Sequence, residues 1–312
     1  MISSPHQHLL LTIGGKDLKF SFRIKIKPII FAAALMLPVS PGVAVANVPQ
    51  GKMTPEEVVT RHLAAIGTPE ARAAAKSRVM TGENHSRLKS SIRLLEVVGA
   101  AQIASEGNKV LLAMTYNANN YPYDKAAYDG EKFTVAGLPE GGRSPLTNFL
   151  VAQDVIFKHG LIGGVLSSAW TLANLDPEKG KLSYSGREKL DGREVHKLKY
   201  IPKKGDVKIN LYFDAETFQH LRSDYEYLIS ARMGARPGTS VTQGTNPTGD
   251  TVRYRLIEEY SDFKKAGNLT LPHAYKIQYV SETQTFEYNI RFLQVDFNQT
   301  IAPEAFRVSS AN

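Results

Sequence analysis

A run of alternating side chains near the middle of the chain sets the tightest limit on how it can fold. Four apolar side chains alternate there with four polar ones: Val207, Ile209, Leu211 and Phe213 with Lys208, Asn210, Tyr212 and Asp214. A two-residue period of this kind is typical of a strand with one buried face. Residues 193–201 and 219–228 favour two further strands, and the short connections over 202–206 and 214–218 contain turn-forming residues. The sequence therefore predicts an antiparallel meander.

Strand patterns continue on both sides of this meander. Gly-containing turns at 106–108 and 129–131 separate the strand candidates of the N-terminal half. The predicted strands outside the meander cover residues 92–98, 101–106, 109–116, 125–128, 132–136, 253–263, 273–282, 284–293 and the end near 297–308. Together with the meander they predict a sheet of about ten antiparallel strands.

Two helix-start signals precede these strands. Thr54-Pro55-Glu56-Glu57 is a capping box with proline at the first helical position, and the apolar stripe that follows predicts an amphipathic helix ending at Gly67. Thr68 and Pro69 begin a short second helix that we expect to end near residue 76.

A third helix signal lies between the two groups of strands. Ser144 and Pro145 repeat the start signal, and the apolar pattern predicts one helix that ends at His159 before Gly160. Residues 161–175 follow and are the most apolar stretch after residue 46. We expect one or two short helical pieces there, packed under the sheet, because the stretch is too short to span a bilayer.

Three sequence motifs carry a resemblance to a known family: residues 186–198, 211–217 and 262–273. They resemble the periplasmic lipoprotein-carrier (LolA/LolB-like) superfamily and its outer-membrane lipoprotein-sorting relatives, over roughly residues 52–308. The resemblance implies an α+β fold, in which helices cover the concave face of a strongly curved antiparallel half-barrel. It also implies an apolar cavity that carries the lipid part of lipoproteins.

The resemblance predicts a non-enzymatic periplasmic carrier that binds lipoprotein acyl chains or another lipid. The alternative is a cell-envelope module that binds or senses another protein on the same fold without lipid transport. Either way, the same apolar side chains can also be close-packed core. The candidate cavity residues are Leu146, Phe149, Leu150, Phe157, Trp170, Val207, Ile209, Leu211, Phe213 and Tyr225.

The first 46 residues have the order of a secretory signal peptide. A positive region over 16–27 and an apolar region over 28–39 precede the small residues Ala44 and Ala46. We therefore predict cleavage after Ala46 and a periplasmic protein with no stable membrane span after processing; the alternative is an uncleaved anchor. Residues 47–312 are predicted to form a single domain with a flexible loop at about 229–252, where Gly, Pro, Ser and Thr dominate.

The formal net charge of +8 at first suggests a nucleic-acid ligand. Five of the basic residues lie before residue 47, however, and without that segment 33 basic residues face 29 acidic ones. The excess positive charge thus belongs largely to the export signal, and we predict no nucleic-acid partner.

Sequence patterns for catalysis or metal binding are weak throughout. The chain has no cysteine, and its histidines lack the spacing of a metal site. Residues 137–144 approach a phosphate-binding loop, but Arg143 stands in place of the lysine and Pro139 interrupts the turn. We predict no catalytic residue, no metal and no cofactor.

Overall fold

The computed structural model describes residues 53–90, 94–139, 141–230 and 251–308. These residues form one antiparallel sheet of twelve strands that does not close into a barrel. The strands are β1 Ser77–Ser90, β2 Leu94–Glu106, β3 Lys109–Tyr116, β4 Tyr123–Tyr128, β5 Phe133–Val135, β6 Gly180–Leu190, β7 Arg193–Pro202, β8 Lys208–Asp214, β9 His220–Ser230, β10 Thr251–Ala266, β11 Leu269–Val280 and β12 Gln284–Phe297.

The order of the strands across the sheet is β5-β4-β3-β2-β1-β12-β11-β10-β9-β8-β7-β6. Two meanders, β1 to β5 and β6 to β12, are therefore joined side by side where β1 pairs with β12. The predicted central meander is confirmed as β7, β8 and β9. The predicted α+β class with a curved antiparallel half-barrel is confirmed as well.

The helices are few and short. They are α1 Pro55–Ile66, α2 Pro69–Ala74, α3 Pro145–Ala152 and α4 Val155–Lys158, with 3-10 turns at Gly164–Leu166, Thr171–Ala173 and Pro303–Phe306. The predicted capping box of α1 is present, since Thr54 Oγ1 accepts from the Glu57 amide at 3.2 Å and the Glu57 carboxylate accepts from the Thr54 amide at 2.9 Å.

Most of the core lies on one face of the sheet, here called the inner face, against which the helices pack. Ile209, Leu211 and Phe213 of β8 are buried there. A smaller cluster lies on the opposite, outer face, where Phe306 packs against Leu111 and small residues of β2 and β4. The half-barrel thus has one extensive apolar face and one with a local apolar patch.

Several predicted boundaries are wrong. Residues 92–98 and 101–106 belong to one strand, β2, because its backbone pairs continuously with β1 from Leu94 onward. The helix predicted over 145–159 breaks between Ala152 and Val155. After β12 ends at Phe297, residues 298–308 form no strand and contain a 3-10 turn on the outer face.

Two predictions concern residues outside those that the structure describes. The signal peptide over 1–46 is one of them. The other is the loop at about 229–252: strand β9 continues to Ser230 and β10 begins at Thr251, so the connection itself, 231–250, lies outside the described residues.

Candidate functional site

Residues 161–175, which we call the cover segment, lie against the inner face and are held there by their own backbone atoms. The Gly163 amide donates to Glu258 Oε1 at 2.7 Å, and the Leu161 carbonyl oxygen lies 3.1 Å from the Tyr225 hydroxyl. The cover segment has little regular structure, so side chains of the sheet serve as partners for its backbone groups.

Two further hydrogen bonds attach the cover segment to strands at the other side of the sheet. Arg78 Nη1 donates to the Val165 carbonyl at 2.5 Å, and the Ser168 amide donates to Ser105 Oγ at 2.8 Å. Arg78 is almost fully buried, its Nε has no partner within the described residues, and burial lowers its pKa to about 10. A charged side chain therefore remains in the core with a carbonyl as its hydrogen-bond partner.

Glu258 of β10 is fully buried on the inner face, in phase with Leu256 and Tyr260. The Tyr275 hydroxyl donates to Oε1, and the Tyr225 hydroxyl lies 2.7 Å from Oε2. In the described part of the chain no ion pair reaches this carboxyl. Burial raises its pKa, because removing a lone carboxylate from water disfavours the charged form.

Counting protons supports a neutral Glu258. The Tyr225 hydroxyl has one proton but lies within hydrogen-bond distance of both Glu258 Oε2 and the Leu161 carbonyl. If the carboxyl keeps its own proton, it donates to Tyr225 and Tyr225 donates to Leu161, which satisfies all three groups. The acid then connects the sheet to the cover segment through an uncharged chain of hydrogen bonds.

A second buried carboxyl, Asp124 of β4, holds helix α3 in the same way. The hydroxyls of Ser144 and Tyr121 donate to it, and Tyr116 Oη lies 3.2 Å away. Ser144 is also the N-cap of α3, accepting from the Thr147 amide at 3.1 Å. Burial raises the pKa of Asp124 as it does that of Glu258.

Helix α1 meets the cover segment through His62. Its Nε2 accepts from Trp170 Nε1 at 3.0 Å, so Nδ1 carries the ring proton and donates to the Phe218 carbonyl at 3.0 Å. Burial lowers the pKa of His62 to about 4, and the ring is neutral at neutral pH. Helix, cover segment and the β8–β9 turn therefore meet at one uncharged imidazole.

All ten candidate cavity residues are buried and belong to one continuous core. Ring contacts connect two of them to strand β9: Trp170 stacks on His220 at 4.9 Å between ring centroids, and the ring of Phe149 lies 5.6 Å from that of Tyr227. The sheet, α3, α4 and the cover segment thus bring the predicted residues to one face. That they line a ligand remains a prediction.

The polar residues under the cover segment are not among the sequence-based candidates. The sequence nevertheless contains a signal for them, because each lies at a position of its strand where the alternation places apolar residues. Glu258 falls between Leu256 and Tyr260 in that phase, and Arg78 falls in step with Met80. A charged residue at such a position must find a partner from the opposite layer or become neutral.

A depression of about 710 Å³ lies mainly on the outer face beside the C-terminal 3-10 turn, with Gln102, Lys125 and Arg307 among its lining residues. Within the described ranges no group of three or more His, Asp or Glu side chains is placed to hold a metal ion. No described helix is both long and apolar enough to cross a bilayer.

The fold is similar to solved structures of the LolA superfamily. A LolA superfamily protein from Nitrosomonas europaea aligns at 10% identity over 82% of this chain and 99% of its own, with a TM-score of 0.43. A putative outer membrane lipoprotein-sorting protein domain from Vibrio parahaemolyticus aligns at 11% identity over 81% of this chain and 95% of its own, with a TM-score of 0.38.

MucB, solved in complex with MucA(peri), aligns at 10% identity over 78% of this chain and 100% of its own, with a TM-score of 0.21. No protein-family model matches the sequence, and no curated protein matches it. At these identities the similarity concerns the fold and not the ligand.

Proposed function

We propose that the protein is a non-enzymatic carrier of the periplasm that holds the acyl chain of a lipoprotein or another lipid against the inner face of its sheet. The observation that supports this most is the construction of the cover segment. An apolar segment with little regular structure lies on the inner face, attached by a small number of hydrogen bonds from its backbone.

Movement of such a segment exposes apolar surface without unfolding the sheet. The sheet's own ladders, such as those of β8 with β7 and β9, do not depend on residues 161–175. An acyl chain entering beside Leu211 and Phe213 replaces the apolar contacts of the segment, and burial of each methylene contributes about 0.8 kcal/mol. The exchange therefore favours long chains.

Export is part of the same proposal. The signal peptide places the protein in the periplasm, with cleavage after Ala46 and residues 47–312 as the single mature domain. No catalytic step, metal or cofactor is required for a carrier, and the expected partners are acyl chains rather than nucleic acid.

The test compares two buried phenylalanines on opposite faces. Phe213 on the inner face and Phe306 on the outer face both have 0% exposure, so each change to alanine removes a similar apolar group. Truncation of a phenylalanine in a filled core costs about 3 to 5 kcal/mol of unfolding free energy. A residue that contacts ligand also contributes to affinity.

Native mass spectrometry of protein isolated from its own envelope is expected to detect bound acyl species, and a dansyl-labelled fatty acid is expected to bind the delipidated protein. Phe213→Ala is expected to weaken that binding at least 5-fold, whereas Phe306→Ala leaves it unchanged while lowering stability. Absence of bound lipid together with equal effects of the two variants contradicts the carrier.

The second candidate is an envelope module that binds or senses another protein. The apolar side chains Leu94, Val98 and Leu293 are between 57% and 64% accessible on β2 and β12, and under this function they contact the partner. Under this function the envelope-derived protein co-purifies with a protein partner and without lipid. Substitution of Val98 and Leu293 by serine then abolishes the association, whereas Phe213→Ala does not.

A further inference from the structure

The inner face directly beneath Gly164 contains two buried polar atoms that have no regular hydrogen bond within the described residues. These are the hydroxyl oxygen of Tyr260 and Nδ1 of His220. The Tyr260 hydroxyl faces Glu258 without regular hydrogen-bond geometry. An unpaired polar atom in a core destabilises the folded state, so two together at one place require an explanation.

The two atoms have complementary roles. Nε2 of His220 lies 3.1 Å from both the Arg222 carbonyl and Ser223 Oγ. The carbonyl can only accept, so Nε2 carries a proton, and the serine oxygen can accept it as well. Burial lowers the pKa of His220 well below its usual value, and the neutral ring then leaves Nδ1 as an acceptor. The Tyr260 hydroxyl faces Glu258 and Ser223 without a regular hydrogen bond to either and can donate its proton, so an acceptor and a donor lie side by side.

The position between them is defined by Gly164. A Cβ built on this glycine would lie 2.7 Å from His220 Nδ1, 2.9 Å from His220 Cε1 and 3.0 Å from the Tyr260 hydroxyl oxygen, so the two polar atoms border the same small space. A hydroxyl that enters this space in the plane of the imidazole ring can donate to Nδ1 and accept from Tyr260. In the closed arrangement Gly164 itself occupies the space.

We propose that His220 and Tyr260, with Glu258 beside them, form a binding site for the hydroxyl-bearing, uncharged head of an acyl lipid such as a monoacylglycerol, which enters when the cover segment moves. This inference rests on the proposed function and narrows its ligand. Movement of the segment also removes the Gly163 amide from Glu258, and that leaves an additional acceptor for a second head-group hydroxyl.

An uncharged head fits better than an anionic one. In the described part of the chain no lysine or arginine forms an ion pair or hydrogen bond with Glu258, Tyr260 or His220. Burial raises the pKa of Glu258, and the buried cation Arg78, which is bonded to the Val165 carbonyl, does not act on that pKa. An anion beside this acid would therefore have no cation in contact to balance it. Fatty acids and anionic phospholipids are therefore expected to bind less tightly than glycerides with the same chain.

The experiment compares three probes with one chain length: 1-monopalmitoylglycerol, methyl palmitate and palmitate, each delivered from cyclodextrin to the delipidated mature protein. The wild type is expected to bind the monoglyceride about 5- to 10-fold more tightly than methyl palmitate, the factor of one or two net hydrogen bonds. Tyr260→Phe is expected to remove most of that preference while affinity for methyl palmitate is unchanged.

Tyr260→Phe also avoids the risk of a misfolded variant. It deletes a hydroxyl without a regular partner, so the unfolding free energy of the ligand-free protein is expected to stay equal or increase. Tyr288→Phe is the matched control, since Tyr288 is equally buried on the same face but its hydroxyl lies 3.1 Å from that of Tyr121. This control is expected to retain the monoglyceride preference.

The outcomes separate the two proposals. The head-group site is contradicted if the wild type binds monoglyceride and methyl ester equally. It is also contradicted if the preference for monoglyceride survives Tyr260→Phe, or if Tyr288→Phe loses it equally. Each of these results leaves the carrier proposal intact. Binding of none of the three probes contradicts the carrier itself, and the head-group site with it.

Discussion

At the scale of single residues, neutral histidines and acids in the core set how the protein responds to pH. His62 and His220 have lowered pKa values, so both are uncharged in the folded state. Glu258 and Asp124 have raised pKa values for the same reason, burial. The two kinds of group have opposite effects on stability as the pH falls. The histidines are protonated first in the unfolded state, which lowers the unfolding free energy, whereas the acids are protonated first in the folded state, which raises it.

The contribution of His62 can be isolated. An unfolded histidine takes up a proton near pH 6.5, whereas the folded ring does so at about 4, so its stabilising contribution is complete above 6.5 and is lost as pH falls towards 4. Between pH 7.5 and 4.5 this loss amounts to about 2 to 3 kcal/mol. His62→Gln is expected to reduce the pH dependence of unfolding free energy by that amount.

Urea denaturation at the two pH values measures this difference. His85 is an exposed histidine of β1, and His85→Gln is expected to leave the pH dependence as in the wild type. A slope that His62→Gln does not reduce would mean that His62 is protonated in the folded state, with a water or a carboxylate in contact.

At the scale of elements, the cover segment depends on a close approach at Gly164. The residue has a φ of 47°, and an added Cβ would meet His220 and Tyr260 at 3.0 Å or less. Gly107, in the β2–β3 turn, has a similar φ of 58° but no atom within 4 Å of such a Cβ. The two glycines therefore share the backbone requirement and differ only in packing.

Alanine at these two positions separates backbone strain from packing. Gly107→Ala is expected to cost about 1 to 2 kcal/mol from the left-handed conformation alone. Gly164→Ala is expected to cost about 1 kcal/mol or more in addition, because the cover segment must move away from the sheet. Chemical denaturation gives both values, and faster exchange of the Gly163 amide with deuterium would locate the loosening. Equal costs would indicate that the segment adjusts freely.

The elements that the sequence did not predict share a physical cause. Strand β1 buries small polar residues, Asn84 and Ser86, on the face where other strands bury apolar ones, so no hydrophobic alternation is visible. Strand β6 lies at the edge of the sheet and is mostly accessible, so its composition is not constrained. The meander was predictable because apolar and polar side chains alternate along β8.

The candidate site was predictable only in part, for a related reason. Burial of Leu211 and Phe213 follows from strand periodicity, whereas the pairing of Glu258 with Gly163 joins residues 95 positions apart. Such a pair depends on the path of the cover segment. Helix α3 shows the same limit, since apolar residues continue past Ala152 but the helix ends there and resumes at Val155.

At the scale of the whole molecule, the first 46 residues are predicted to direct export. We predict that protein recovered from the envelope begins at Asn47, because Ala44 and Ala46 supply the small side chains that signal peptidase needs. Intact-mass measurement tests this directly, and Ala46→Phe is expected to slow processing. Recovery of a species that retains residues 28–46 would support the anchored alternative.

Among the described strands, β5 and β6 have a neighbour on one side only. Strand β5 has three residues, too few to template another strand. The longer β6 is interrupted by a bulge between Tyr184 and Arg187 and bears accessible charges at Lys181, Arg187 and Lys189. These features discourage a second chain from adding to either edge. We therefore expect concentrated protein to resist fibril formation even though its sheet is not closed.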